Sequence, residues 1–144
     1  MAIYTTTDIL GLFGIKKQRF RQWLDKEYII PDLKVSTGSG DKNLFNRFDL
    51  YRISLFIKLI NIGLNRYIAS EFAKELDNDD WVSIEHGHTR FMVAAGEMKR
   101  RQNWKDSIEL YMSPTRELRN VEDEVTIVMD LHRIIAEVND KLEE

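Results

Sequence analysis

The chain has 144 residues and no cysteine. That excludes disulfides, thiol redox sensing and thiolate metal sites. No apolar run approaches the ~20 residues that a helical membrane span needs. The opening MAIYTTTD lacks a basic stretch followed by an apolar block, so no secretory signal is read there. The expectation is a cytoplasmic protein with no membrane partner. Gly38-Ser39-Gly40 lacks the pattern that follows in a nucleotide-binding loop. No Ser, His and Asp stand at a recognisable catalytic spacing, so no enzyme, no catalytic residue and no cofactor is expected. His86 and His88 flank Gly87 without an evident third ligand. A tetrahedral metal site takes about four donors, so the segment reads as a surface turn, with no metal. Internal repeats and low-complexity tracts are absent too.

Hydrophobic residues make up 43% of the chain and charged residues 31%, the balance of an ordinary globular protein. Its length suits one well-buried core, or one small domain with an appendage. The net charge of −3 hides an asymmetry. Residues 1–76 hold 12 Lys or Arg against 8 Asp or Glu, a net +4. Residues 77–144 hold 9 against 16, a net −7. A basic half joined to an acidic half suits a module that meets phosphate at one end only.

Tyr4 to Pro31 reads as two short helices joined by a tight turn. Thr6 or Thr7 can cap the first, since a hydroxyl satisfies orphan amides of the opening turn. Ile9, Leu10 and Phe13 carry its apolar face, and Gly14 breaks it. The second runs from Lys16 to Lys26. Phe20, Trp23 and Leu24 fall in one arc at helical spacing. Gln18, Gln22 and Asp25 point the other way, with Arg19 and Arg21 on the flanks. Outward amides and guanidiniums suit a major groove: Arg grips phosphate or guanine, and Gln pairs with adenine.

A third helix is predicted from Arg47 to Ile62, capped by Gly63, and a fourth from Arg66 to Leu76. Asp77 to Asp80 marks a boundary. Beyond it Val82, Ile84 and His86 alternate, Arg90 to Ala95 is an apolar run, and Ile108, Leu110 and Met112 alternate. These predict three strands in a small antiparallel sheet, with Gly87 turning between the first two. Lys99-Arg100-Arg101 is a charged connector. Val121 to Leu142 is predicted as one helix. Its Val128, Leu131, Ile135, Val138 and Leu142 recur at 3, 4, 3, 4, the seam of a two-helix coiled coil.

Several of these residues fall in a family-like order. Tyr4-Thr5 opens the chain, Gly14-Ile15 turns it, and Arg21-Gln22-Trp23 lies on the second helix. Ser39 to Phe45 follows, then Phe48-Asp49-Leu50, then Leu59 to Leu64 with its Gly63. This segment, residues 4–72, resembles the DNA-binding domain of the MerR family of transcription regulators. It departs from the family at Gln18 and Gln22, which replace Arg and Tyr, and at Lys42-Asn43, which replaces Tyr-Arg.

The expected fold is mostly α: a winged helix-turn-helix domain over 1–76 and a C-terminal dimerisation helix, both implied by the resemblance, with the small antiparallel β segment read from the alternation between them, the last two filling 77–144. The resemblance implies a sequence-specific regulator that binds an inverted repeat in double-stranded DNA as a homodimer. Lys16, Lys17, Gln18, Arg19, Arg21 and Gln22 would contact DNA from the second helix, and Lys42 and Asn43 from the wing. Val128, Leu131, Ile135, Val138 and Leu142 would join the subunits. Any effector would be organic or a protein, held at strands around Phe91, Val93, Ile108 and Leu110, or there is none. The preferred expectation is that the terminal helix covers that sheet. Two other functions are carried beside this one. One is a protein adaptor or chaperone modulator using the acidic half, and the other is a phage-type excisionase or architectural DNA-binding protein.

Overall fold

The computed structural model describes residues 2–37, 42–97, 103–116 and 123–144. The chain divides into two compact units, one of Met1–Asn78 with Glu137–Glu144, the other of Asp79–Ala136. Helices take the larger share of the described residues and two small antiparallel sheets the rest of the regular structure, so the class is mixed α/β, loosely consistent with the mostly α expectation.

In the first unit, strand β1 (Tyr4–Thr5) leads into helix α1 (Thr6–Phe13). Thr5 caps α1, one residue before the two threonines the sequence singled out. Thr5 wins because Asp8 stands three residues on. The Asp8 N–H donates to Thr5 Oγ1 at 3.3 Å, and the Thr5 N–H donates to Asp8 Oδ2 at 2.8 Å. The pair satisfies two groups reciprocally. Gly14 ends α1 in the left-handed region at φ 63°, its N–H on the Leu10 carbonyl. Helix α2 follows (Lys17–Asp25).

Strand β2 (Leu44–Phe45) pairs with β1, Tyr4 opposite Phe45 and Thr5 opposite Leu44. Helix α3 (Arg47–Asn61) starts from a second reciprocal cap, Asn46 with Asp49, and ends before Gly63. Helix α4 (Arg66–Lys74) starts from Asn65, whose Oδ1 accepts the Ile68 N–H at 2.8 Å. It stops two residues short of the predicted Leu76. The core gathers Ile9, Phe20, Trp23, Phe45, Leu50, Ile53, Phe56, Leu59 and Phe72, all buried. Trp23 meets Phe56 edge-on, centroids 5.0 Å apart at 87°. Burying each such side chain contributes about 1.5–3 kcal/mol.

The second unit corrects two predicted elements. Val82, Ile84 and His86 are not a strand: Asn78–Glu85 is helix α5. The alternation spans only five residues, too few to fix a period of two, and the helix buries Trp81 and Ile84, three apart. Asp79 and Asp80 suit the positive end of its dipole. The sheet is formed by β3 (Phe91–Gly96), β4 (Ile108–Ser113) and β5 (Val125–Asp130), in the order β4-β3-β5, all antiparallel. Two strands are therefore where the sequence put them. The third comes from the stretch predicted as one long helix. Val121 lies outside the described residues, Val125–Asp130 is β5, and only Leu131–Glu143 is helix α6. Val125, Thr126, Ile127 and Val128 are β-branched and fit a pleated surface. Phe91 through Ala95 are all buried, which a strand flanked on both sides allows.

The register places Phe91 and Val93 on one face, with Tyr111 and Val128. Ile108 and Leu110 lie on the other, with Ala94 and Ile127. The four residues named for an effector are thus split between faces and do not line one site. Among the described residues no helix is long and apolar enough to cross a membrane.

Candidate nucleic-acid interface

Helix α2 carries two chemistries on opposite sides. Phe20 and Trp23 are buried, and Lys16, Lys17, Gln18, Arg19, Arg21 and Gln22 are all exposed. Lys16 is the N-cap but makes no side-chain cap. The Arg19 guanidinium lies over the Trp23 ring, 5.2 Å from its centroid. This contact orients one flank of the helix without neutralising its charge.

The helix is held firmly from behind. Phe20 packs on Trp23 and Phe45, with centroids 6.2 and 6.0 Å away. Past its C-terminus the Glu27 N–H donates to the Leu24 carbonyl at 3.0 Å, and the Tyr28 N–H to the Trp23 carbonyl at 2.9 Å. These two bonds form a Schellman motif. Its turning residue is Glu27, at φ 58°, where glycine is usual. Ser70 Oγ donates to the Tyr28 carbonyl at 2.8 Å, and Lys74 Nζ donates to the Glu27 carbonyl. Helix α4 thereby grips the turn that fixes the end of α2.

The predicted wing is described in part. Lys34 and Leu44 exchange backbone bonds at 3.2 and 2.9 Å. The Ser36 N–H donates to Asn43 Oδ1 at 2.7 Å. Residues 38–41 lie outside the described residues, as do Lys99, Arg100 and Arg101. Lys42 is exposed, whereas Asn43 is half-buried with its amide oxygen engaged in bracing the paired segments.

A groove of about 470 Å³, unmarked by the sequence reading, flanks α2. Arg19, Lys26, Asn65, Arg66 and Tyr67 are among its lining residues. Its signal in the sequence was faint: Arg66 simply follows the cap Asn65. A polar network, equally unread, fixes α3. Asp49, 2% exposed, accepts N–H groups of Asn46 at 3.1 Å and Asp32 at 2.9 Å, and pairs with Arg52 at 3.3 Å. Asp32 accepts from Asn46 Nδ2 at 2.6 Å and Asn78 Nδ2 at 2.8 Å. Burial pushes the Asp49 carboxyl up, while the hydrogen bond from Asn78, with that from Asn46, holds Asp32 down. Asp32 stands 14 residues from Asn46, 17 from Asp49 and 46 from Asn78, so no spacing rule finds these links.

The five predicted dimerisation residues do not share one helical face. Val128 lies on β5 and is 41% exposed. Leu131 and Val138 on α6 are 0% and 1% exposed, and Ile135 and Leu142 are half-buried. Leu131 and Val138 are engaged inside the chain itself, because an amphipathic helix buries its stripe on whatever apolar surface folds beside it. His86 and His88 are exposed at the Gly87 turn, where φ is 81°. Among the described residues, no three His, Asp or Glu side chains gather in a metal-binding group. No model of a known protein family matches the chain, and no curated protein matches it.

Proposed function

We propose that this chain is a sequence-specific DNA-binding regulator of transcription that reads duplex DNA with α2. The observation that carries the reading is the outward face of α2. Lys17, Gln18, Arg21 and Gln22 are exposed on a helix whose other face is locked by Phe20 and Trp23. Among the described residues, the side chains of these four form no hydrogen bond or ion pair. A rigid helix with unengaged guanidinium and amide groups meets the requirement of major-groove readout.

In this reading Arg21 contacts guanine or phosphate, and Gln18 and Gln22 read base edges. Lys16, Lys17 and Arg19 position the helix on the backbone, and Lys42 reaches flanking phosphate. Asn43 braces the hairpin behind Lys42. Arg66 and Lys26, in the groove beside α2, add positive charge on the same side as Arg19. The regulator acts as a homodimer on an inverted repeat, the arrangement a two-fold protein imposes on its site.

Selection of genomic fragments by purified protein, followed by sequencing, should return a shared inverted repeat. On that site Arg21→Ala should lose about 1–3 kcal/mol of binding at matched salt. Wild-type affinity should fall steeply with salt, since released counterions drive the association. An Arg21→Ala variant that binds as tightly as wild type removes α2 as the reading helix. Salt-insensitive, weak binding would favour a protein partner for the acidic half instead.

A further inference from the structure

We infer that β5 is the surface on which a second copy of this chain docks, by antiparallel pairing of β5 with itself about a two-fold axis at Ile127. This inference deepens the homodimeric part of the reading above and replaces the helical seam.

The geometry of the ladder identifies the free edge. The Leu131 N–H donates to the Arg90 carbonyl at 2.9 Å, and the register sets those two residues opposite each other. Bonded and non-bonded pairs alternate along an antiparallel ladder. Val125, Ile127 and Met129 therefore turn their backbone groups towards β3, and Thr126 and Val128 turn theirs away. The other side of β3 agrees: the Glu97 N–H donates to the Ser107 carbonyl at 3.1 Å, so the odd positions of β3 serve β4 and the even ones β5. Among the described residues, nothing bonds the outward groups of Thr126 and Val128.

Those two residues stand two apart, which makes the edge self-complementary. An axis at Ile127 sets Thr126 opposite Val128 of the second copy, and Val128 opposite Thr126. Each N–H and each C=O of the four residues then has a partner. On one face Ile127 meets its own copy and Val125 meets Met129; on the other Val128 meets Thr126. At each end of the ladder Glu124 falls opposite Asp130 of the second copy, and Arg90 pairs with Asp130 there at 2.9 Å. The apolar face holding Leu110, Met112, Met92, Ala94, Ile127 and Met129 becomes continuous across six strands.

The sheet's two edges differ in where their charges stand. Edge strands are commonly blunted by a charge, a proline or a bulge. Strand β4 carries the exposed Glu109 at its second position. Strand β5 carries no glycine or proline and one charge, Asp130 at its last position, and Val125 and Val128 are 36% and 41% exposed.

The test is sedimentation equilibrium of the full chain beside two variants. Val128→Pro removes an outward donor and fixes φ at that position, and Val128→Lys puts a charge on the edge while keeping every backbone group. Wild type should be dimeric at about 50 μM, the range of a micromolar contact. Both variants should keep the wild-type circular dichroism and dimerise at least tenfold more weakly. If Val128→Pro unfolds, Val128→Lys decides alone. A wild-type monomer at about 100 μM, or folded variants with the wild-type dissociation constant, would overturn the pairing. Binding to half of the selected repeat separates the two readings. A Val128→Lys monomer that still binds the half-site supports both. A broken dimer together with Arg21→Ala at full affinity leaves the pairing standing and removes DNA readout by α2.

Discussion

Among the described residues, the helical unit buries four polar side chains and the sheet unit one. Asn46, Asp49, Ser54 and Ser70 are buried in the first, and Asn46 and Asp49 begin a helix there while tying distant loops to it. In the second, Ser113 is the buried polar residue among those described, and the main polar tie is Arg90 on Asp130, with bonds of 3.0 and 2.9 Å. The helical unit is thus specified by directional bonds that start in short sequence motifs. The sheet unit is specified by close backbone approach and apolar burial between strands far apart in the chain. The two should respond differently to substitution.

The largest effect is expected where the sheet has no slack. Gly96 sits at φ 147°, and a Cβ there would stand 2.0 Å from the Ser107 carbonyl oxygen. Backbone strain and overpacking add, so Gly96→Ala should cost about 3–5 kcal/mol in urea unfolding. A loss below about 1 kcal/mol would mean the strands part easily, and the contrast between units would fail. In the helical unit, Asn46→Ala removes a cap and strands two groups on Asp32 and Asp49. It should cost about 2 kcal/mol. A cost of only a few tenths would show that the network follows the fold and does not help specify it.

Acid sharpens the comparison. The Arg90 hydrogen bonds hold Asp130 below the usual carboxylate range. Its folded pKa lies under its unfolded one, so the stabilisation is full above about pH 4 and is lost as pH falls through the folded value. Asp49 runs the other way. Burial raises it, so its charged form costs stability, and acid relieves that cost as pH falls through the raised value. Asp130→Asn should flatten the acid limb of the stability curve measured by sheet signals; an unchanged limb would rule out the Arg90 pair as its cause.

The smallest effect belongs to the α2 turn. Glu27 is held at φ 58°, and glycine there should raise stability by about 0.5–1 kcal/mol. Destabilisation instead would mean that the Glu27 side chain contributes more than its backbone strain costs.

The outward face of α2 was legible because helical period alone separates Phe20 and Trp23 from Gln18, Arg21 and Gln22. The boundaries of α3 were legible because Asn46, Asp49 and Gly63 act within a few residues of themselves. The Lys26–Arg66 side of the groove was not, since it joins two helices whose approach depends on the core. The strand β5 was misread for a related reason. Val128, Leu131, Ile135 and Val138 satisfy a helical spacing, and nothing local forbids it. The open side of β3 made Val125–Asp130 a strand, and no window of sequence contains that neighbour.

By itself, then, the sequence determined the helices of the first unit, the chemistry displayed by α2, the charge contrast between the halves and the exclusion of thiol chemistry. Each follows from side-chain type at short range, where caps, period and composition act. The tertiary structure decided which apolar stretch completed the sheet, which residues of α6 were buried, how Asp32, Asp49, Arg52 and Asn78 met, and which strand edge was left open. Each of those depends on pairing between residues tens of positions apart, and chain closure over such distances is settled by the packed core and not by any one segment's preference.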